Sequence, residues 1–385
     1  VSAQATAPEV LGTGEAGKVG ETGERTARRR MSRVTLVTAA LVAALVVAVL
    51  VSATTGQLQI PLDEVLGSLA QAWNRAVGGA GLHWLELPVL ATPQHPAAEA
   101  TLWLIRFPRV VLTVLVGAAL AAAGAVMQGV FRNPLAEPGI VGVSSGAAVG
   151  ACAVIVFGWS FAGPLTAAVM AFVGGLIATF VVYGSSRAGG RTEVVTLVLT
   201  GIAVNAVGGA AIALLTFLGT TQQREQIVFW QLGSLNGSRW QDVVIVLPLA
   251  VAGIVACVAL ARPLDLLALG ERQAEHLGVR VERVRITAIV VVAVLTSAAV
   301  AMCGIIGFVG LVVPHLMRMV LGPAHRALVL TSALGGAVLL SAADLLARTA
   351  VPYAELPIGM LTALVGGPFF FWLLRRARRS AGGWA

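Results

Sequence analysis

The side chains best suited to recognition chemistry in this sequence are arginines. Arg106, Arg109 and Arg348 stand beside long apolar runs, and a guanidinium carries five donors in a planar fork that matches a carboxylate. Three such forks at one end of a helical bundle fit an acidic protein partner. Lipid phosphates or a solvated helix end would satisfy them as well. Acids are scarcer. Glu137 lies in the interruption Asn133-Pro134-Leu135-Ala136-Glu137-Pro138-Gly139, where two prolines forbid one continuous helix. Asp344 closes one apolar run and Glu355 precedes the next. A carboxylate at a bilayer centre costs about 2.5 to 3.5 kcal/mol on insertion scales, so end-capping near a membrane surface accounts for this pair better than a proton relay.

Other chemistries lack their residues. Gly12-Thr13-Gly14-Glu15-Ala16-Gly17-Lys18 has the spacing of a phosphate loop, but Val19 stands where a Mg²⁺-binding Ser or Thr belongs, and no strand precedes it. No ATP site is expected in this chain. His83, His95, His276, His315 and His325 are scattered, and Cys152, Cys257 and Cys303 lie in separate apolar runs. They form no metal-ligand set and no disulfide framework. With no Ser, His and acid arrangement either, the chain reads as a protein without catalytic residues, metal or cofactor.

The elements that must position these side chains are membrane helices. Of 385 residues 57% are hydrophobic and only 11% charged, with a mean hydropathy of +0.88, which a soluble domain cannot carry. The net charge is +8, yet the arginines are spread over short connecting segments and form no single basic face for nucleic acid.

Charge-free runs set the spans. Residues 34–51 follow Arg28, Arg29, Arg30 and Arg33 and read as a first span with its basic flank in the cytoplasm; a cleaved signal peptide would have a shorter apolar region. A second span lies between Arg109 and Arg132. The run from Glu137 to Arg187 is more than twice a membrane thickness as one helix and must fold back near 159–164. Further spans fall at 194–217 and between Asp242 and Arg262. The run 286–317 is flanked by arginines on both sides, so it holds two crossings that turn near 304–307, the second short and ending near 316. The last two run over 327–346 and 356–374. Ten spans put both basic termini inside, and Arg106, Arg109 and Arg348 outside against the usual bias.

Residues 1–30 read as a disordered cytoplasmic tail and 380–385 as a C-terminal tail around one transmembrane domain, 31–379. The outer segment 54–105 can form an amphipathic helix over 63–77, with Leu66, Leu69, Ala70 and Trp73 as its apolar stripe. The longest cytoplasmic connection, 262–285, holds two helical turns from Glu271 through Ala274 to Leu277, framed by Gly270 and Gly278. It suits a groove in another protein, or is a plain surface helix.

LIRFPRVVLTVLVGAALAAAGAVMQGVFRNPLAEPGIVGVSSGAAVG at 104–150, LGERQAEHLGV at 269–279, GIIGFVGLVVPHLMR at 304–318 and ADLLARTAVPYAELPIGMLTALVGGPFFFWLLRR at 343–376 carry a resemblance. The chain is similar to the FecCD-type permeases, membrane subunits of ATP-driven importers for ferric siderophores, haem and cobalamin. The resemblance implies the all-α type II importer fold and a second permease subunit, identical or related. It also implies two cytoplasmic ATPase subunits docking on Gly270, Glu271, Ala274, Leu277 and Gly278, and an extracytoplasmic binding protein whose acids meet Arg106, Arg109 and Arg348. A wide, weakly charged path is expected, with Gly142, Ser144, Ser145, Gly146 and Asn205 as candidate lining. The expected location is the bacterial cytoplasmic membrane. A secondary transporter would instead need an ion site at broken helices near the midplane, and a receptor or scaffold would move nothing.

Overall fold

A computed structural model describes residues 13–188 and 191–380. The fold is helical. Helix α1 (Thr13–Thr54) and α2 (Leu62–Gly79) are followed by the short α3 (Ala98–Ala100), which passes through a π-helical stretch, Thr101–Arg106, into α4 (Phe107–Val130). Then come α5 (Val143–Phe157), α6 (Thr166–Ser185), a two-stranded hairpin of β1 (Arg187–Ala188) and β2 (Arg191–Thr192), α7 (Val194–Leu218) and α8 (Thr221–Leu232). The chain continues through α9 (Trp240–Ala259), α10 (Ala261–Leu267), α11 (Glu271–His276), α12 (Val281–Cys303), α13 (Val309–Leu321), α14 (His325–Thr349) and α15 (Ile358–Ser380).

Among the described residues seven helices are long and apolar enough to cross a membrane, and Val143–Phe157, Val309–Leu321 and Ile358–Trp372 are shorter apolar helices. These ten segments coincide with the ten expected runs, with shifted ends. The second span is continuous from Ala98, giving 33 residues where the charge-to-charge run holds 22. Its extra turns contain Arg106 and Arg109, which sequence hydropathy places at the border. Within the expected tail, α1 is already helical from Thr13, while residues 1–12 and 381–385 lie outside the described part.

The core centres on α4, which packs against α14, α12, α9 and α13. Close approach depends on backbone meeting backbone. Pro314 has no N–H for the Gly310 carbonyl one turn back. That freed oxygen rests against Gly124, where a Cβ would come within 1.8 Å of it. Helix α13 has 13 residues, about 20 Å, and the non-helical 304–308 makes up the remaining length. That stretch is enclosed by protein: a Cβ on Gly304 would lie 2.2 Å from Trp230 O and one on Gly233 2.5 Å from Ile305 O, and just before it the Ser234 N–H donates to Cys303 O at 2.8 Å. By contrast, no residue of the α1 span window is buried.

Candidate functional site: charged clusters at the two ends of the bundle

Helix α4 connects two clusters of opposite construction. At its first end stand Arg106 and Arg109, together with the last turns of α1 and α14 and the start of α15. The fold brings all three sequence-predicted arginines together there, but none is a free surface group. Arg106 and Arg109 are 4% and 5% exposed.

Their partners explain why arginines stand at this end. The final carbonyls of a helix are unsatisfied and carry its negative dipole end. Arg106 Nη1 donates to Ala53 O at 2.5 Å and Thr54 O at 3.0 Å, and its Nη2 donates to Leu58 O. Arg348 Nη2 donates to Ser52 O at 3.0 Å and to Ser52 Oγ at 2.6 Å. Both guanidiniums therefore cap the end of α1. Gly56 makes room, since a Cβ there would lie 2.7 Å from Arg106 Nη2.

Arg109 is held by acids. Its Nε and Nη2 lie 2.9 Å from Asp344 Oδ1, and its Nη1 lies 2.9 Å from Glu355 Oε1. Arg348 Nε approaches Asp344 Oδ2 at 3.3 Å. The Asp344 side chain is 1% exposed against 37% for Glu355. Asp344 and Glu355 thus act as counter-charges for buried arginine, a role that sequence spacing alone did not show. Both acids close this same end of the bundle, which is the signal that could have paired them with Arg109. Three arginines against two carboxylates leave one positive charge, beneath an open cleft of about 650 Å³ lined by Arg106, Arg109, Arg348, Tyr353 and Glu355. Tyr353 stands at its rim, 93% exposed, at φ +59°.

The opposite end holds the expected coupling element. Helix α11 is six residues long, entered by Gly270 at φ +120° and followed by Gly278 at φ +85°. Ala274 is buried and Leu277 is 59% exposed, so the element packs by one residue and presents another. Glu271 pairs with Arg285 and lies 3.8 Å from Arg132. Arg285, itself buried, donates from Nη1 to Thr192 O at 3.1 Å. Glu282 takes the Thr192 N–H at 3.1 Å and the Tyr183 hydroxyl at 3.2 Å. These bonds tie the hairpin to α11 and α12 around a cleft of about 470 Å³ between Arg132, Thr192, Glu193, Glu271 and Arg285. Sequence reading missed the hairpin, because two-residue strands leave no periodic pattern.

Asp265 and His325 form a further pair unseen in the sequence. The carboxylate takes the His325 backbone N–H at 2.9 Å and meets its ring Nδ1 at 2.7 Å, at the start of α14. This places an acid on a helix N-terminus. Glu137 sits half-buried in the loop after α4, and burial lifts its carboxyl above the ordinary carboxylate value.

The five path candidates share one neighbourhood but differ in use. Gly146 packs on α6: a Cβ there would lie 2.4 Å from Gly174 O. Gly142, at φ +79°, stands immediately before α5. The Ser145 hydroxyl donates to Asn205 Oδ1 at 2.7 Å, and Asn205 Nδ2 donates to Gly139 O at 3.2 Å, joining α5, α7 and the loop. Ser144 is half-buried beside them. Among the described residues no group of three His, Cys, Asp or Glu can hold a metal ion.

The family model described as the FecCD transport family matches residues 41–376. The chain belongs to the FecCD transport family. It is 46% identical over 291 residues to the hemin transport system permease protein HmuU of Yersinia pestis, covering 73% of this chain and 85% of that one. It is 42% identical over 355 residues to the cobalamin import system permease protein BtuC of Halobacterium salinarum, covering 86% and 93%. A solved structure titled as an inward-facing conformation of a putative metal-chelate type ABC transporter superposes with a TM-score of 0.75 at 30% identity, covering 89% and 99%. This FecCD chain is therefore a multi-pass transport permease, and its fold is that of an ABC permease.

Proposed function

We propose that this protein is the translocating subunit of an ATP-driven importer, carrying a bulky metal chelate or macrocycle inward by alternating access. The cargo is an iron chelate, ferric siderophore or haem, with cobalamin as the corrinoid alternative. The observation that carries this reading is the family match over 41–376, with relatives named for hemin and cobalamin transport.

In this reading ten helices cross a bacterial cytoplasmic membrane with both termini inside. Two permease subunits, identical or related, enclose the path, and the neighbourhood of Ser144, Ser145 and Asn205 contributes to its wall. An ATPase subunit docks over Gly270–Gly278 and pushes on Glu271 and Arg285, so that closure of the ATPase pair changes the tilt of α12. ATP chemistry belongs to that subunit. On the outer face a binding protein seats over the cleft beside Tyr353. Arg106, Arg109 and Arg348 act mainly by bracing that surface, and their one surplus positive charge favours an acidic partner.

The test is uptake by the complex reconstituted with its own ATPase and binding protein, against ferric siderophores, haem and cobalamin. ATP-dependent accumulation of one of them is expected. Accumulation driven by an ion gradient without ATP would overturn the mechanism, and failure of the whole panel would overturn the cargo class.

A further inference from the structure

The segment between α1 and α4 leaves an apolar surface that the fold does not cover. Helix α2 turns Val65, Ser68, Ala70 and Val77 inward. On the other side Leu62, Leu69 and Trp73 are 45%, 39% and 47% exposed; offsets of seven and eleven put them on one helical stripe. Ala70, expected on that stripe, faces the protein instead.

The chain after α2 folds back along it and extends the same surface. Trp73 Nε1 donates to Leu85 O at 2.9 Å. Asn74 binds Leu87 twice: Nδ2 donates to Leu87 O at 2.8 Å, and Oδ1 takes the Leu87 N–H at 2.7 Å. Ala91 crosses at Gly67, where a Cβ would lie 1.7 Å from Ala91 O. This is a braced element, yet Trp84, Leu87 and Leu90 on it are 79%, 50% and 67% exposed. An exposed patch of this kind marks an interaction surface.

Its surroundings identify the occupant. α2 shares a small core of Ala53, Ile60, Val65, Ala98, Leu102 and Phe107 with the end of α1 and the start of the α4 span. Both spans turn apolar side chains outward beside it: Val47 and Val51 on α1, Leu104 and Ile105 ahead of α4. Trp103 joins them to α2, its Nε1 donating to Ser68 Oγ at 2.9 Å. Tryptophans, with an apolar ring and a polar N–H, are favoured at the level of lipid headgroups. Arg75, on the side of α2 away from the stripe, has a 71% exposed side chain 4.0 Å from Glu99 and supplies a polar reference position on the same helix.

We propose that α2 and the braced segment 82–90 form an interfacial anchor, with Leu69, Trp73 and Trp84 set into the headgroup and acyl boundary of the adjoining leaflet and phospholipid as the partner. It holds the loop end of α1 at a fixed depth and keeps the segment to the side of the cleft at Arg109. The inference does not depend on the cargo or on the binding protein.

Spin labels test it. Cys152, Cys257 and Cys303 are all buried, so a label can be directed to Leu69→Cys, Trp84→Cys or Arg75→Cys in otherwise native protein. The full chain is placed in vesicles of phosphatidylethanolamine and phosphatidylglycerol, and collisions with oxygen and with a water-soluble nickel chelate are compared. Residues 69 and 84 are expected to show an oxygen-to-nickel ratio about threefold or more above that at 75. Ratios equal to that at 75 would overturn the anchor. Low collision rates with both reagents at 69 and 84 would show a protein occupant instead and overturn it too. Two apolar positions on separate elements keep the test sound if one variant misfolds.

Discussion

The two ends of α4 each carry arginines facing glutamate or aspartate, yet they are built for different work. At the Arg109 end the pair with Asp344 is enclosed, the two side chains 7% and 1% exposed, while Glu355 stands at the rim of the cleft and Arg106 donates only to main-chain carbonyls. At the Arg285 end the arginine is as deeply buried, but its acid, Glu271, is 41% exposed and borders an open cleft. Enclosed charge fixes geometry, because loss of one partner strands the other in a poor solvent. Half-open charge can be pulled by something that docks on it. The difference suits the proposed function, in which the first cluster holds α1, α4, α14 and α15 in place and the second takes the push of a docked partner.

That contrast can be broken by mutation, and the largest effect belongs to the enclosed end. Asp344→Ala leaves Arg109 and Arg348 without their shared counter-charge and is expected to cost about 3 to 5 kcal/mol of stability, read by thermal or denaturant unfolding in detergent. A loss no greater than that of a surface variant would remove the distinction between the ends. Arg285→Ala removes bonds to Glu271 and Thr192 worth about 1.5 to 3 kcal/mol. Its signature should be functional: transport-linked ATPase activity falls further than stability does. Coupling unchanged in this variant would dissociate the cleft from transmission.

A smaller effect is expected from Glu355→Gln, the exposed member of the Arg109 cluster. Asp344 still neutralises Arg109, and solvent screens the lost pair, so unfolding should shift by about 0 to 1 kcal/mol. A cost equal to that of Asp344→Ala would show that the rim is as enclosed as the floor. The smallest concerns Glu137. Its carboxyl is raised in the folded protein, so the folded state holds a proton that the unfolded state has already released, and stability falls as pH rises through that window. Glu137→Gln should therefore flatten the fall in melting temperature as pH rises above the ordinary carboxylate range. An unaltered slope would show that Glu137 is solvated.

The positions of the apolar helices were legible because hydrophobic length is a one-dimensional signal. The turns between 157 and 166 and between 303 and 309, and the helix starting at Val194, follow from counting uncharged residues. Helix α8 was not legible: Thr221–Leu232 carries Gln222, Gln223, Arg224, Glu225 and Gln226, so it has neither the length nor the hydropathy of a span. At the clusters, sequence identified Arg106, Arg109 and Arg348 as unusual but read them as outward-reaching. Their partners are far along the chain or are backbone atoms: Asp344 lies 235 residues from Arg109, and Ser52 O and Ala53 O have no side-chain identity to read. Gly270 and Gly278 were legible because left-handed backbone selects for glycine locally.

The double clasp on α1 also bears on how the molecule is made. Ribosomes deliver the first helix long before either guanidinium that closes its end: Arg106 arrives 53 residues after Ala53, and Arg348 comes 296 residues after Ser52. With no buried residue in its own hydrophobic window, α1 has only the Arg106 half of its clasp until the ninth apolar segment brings Arg348. Truncated chains ending before that segment would leave the first helix held at one point alone.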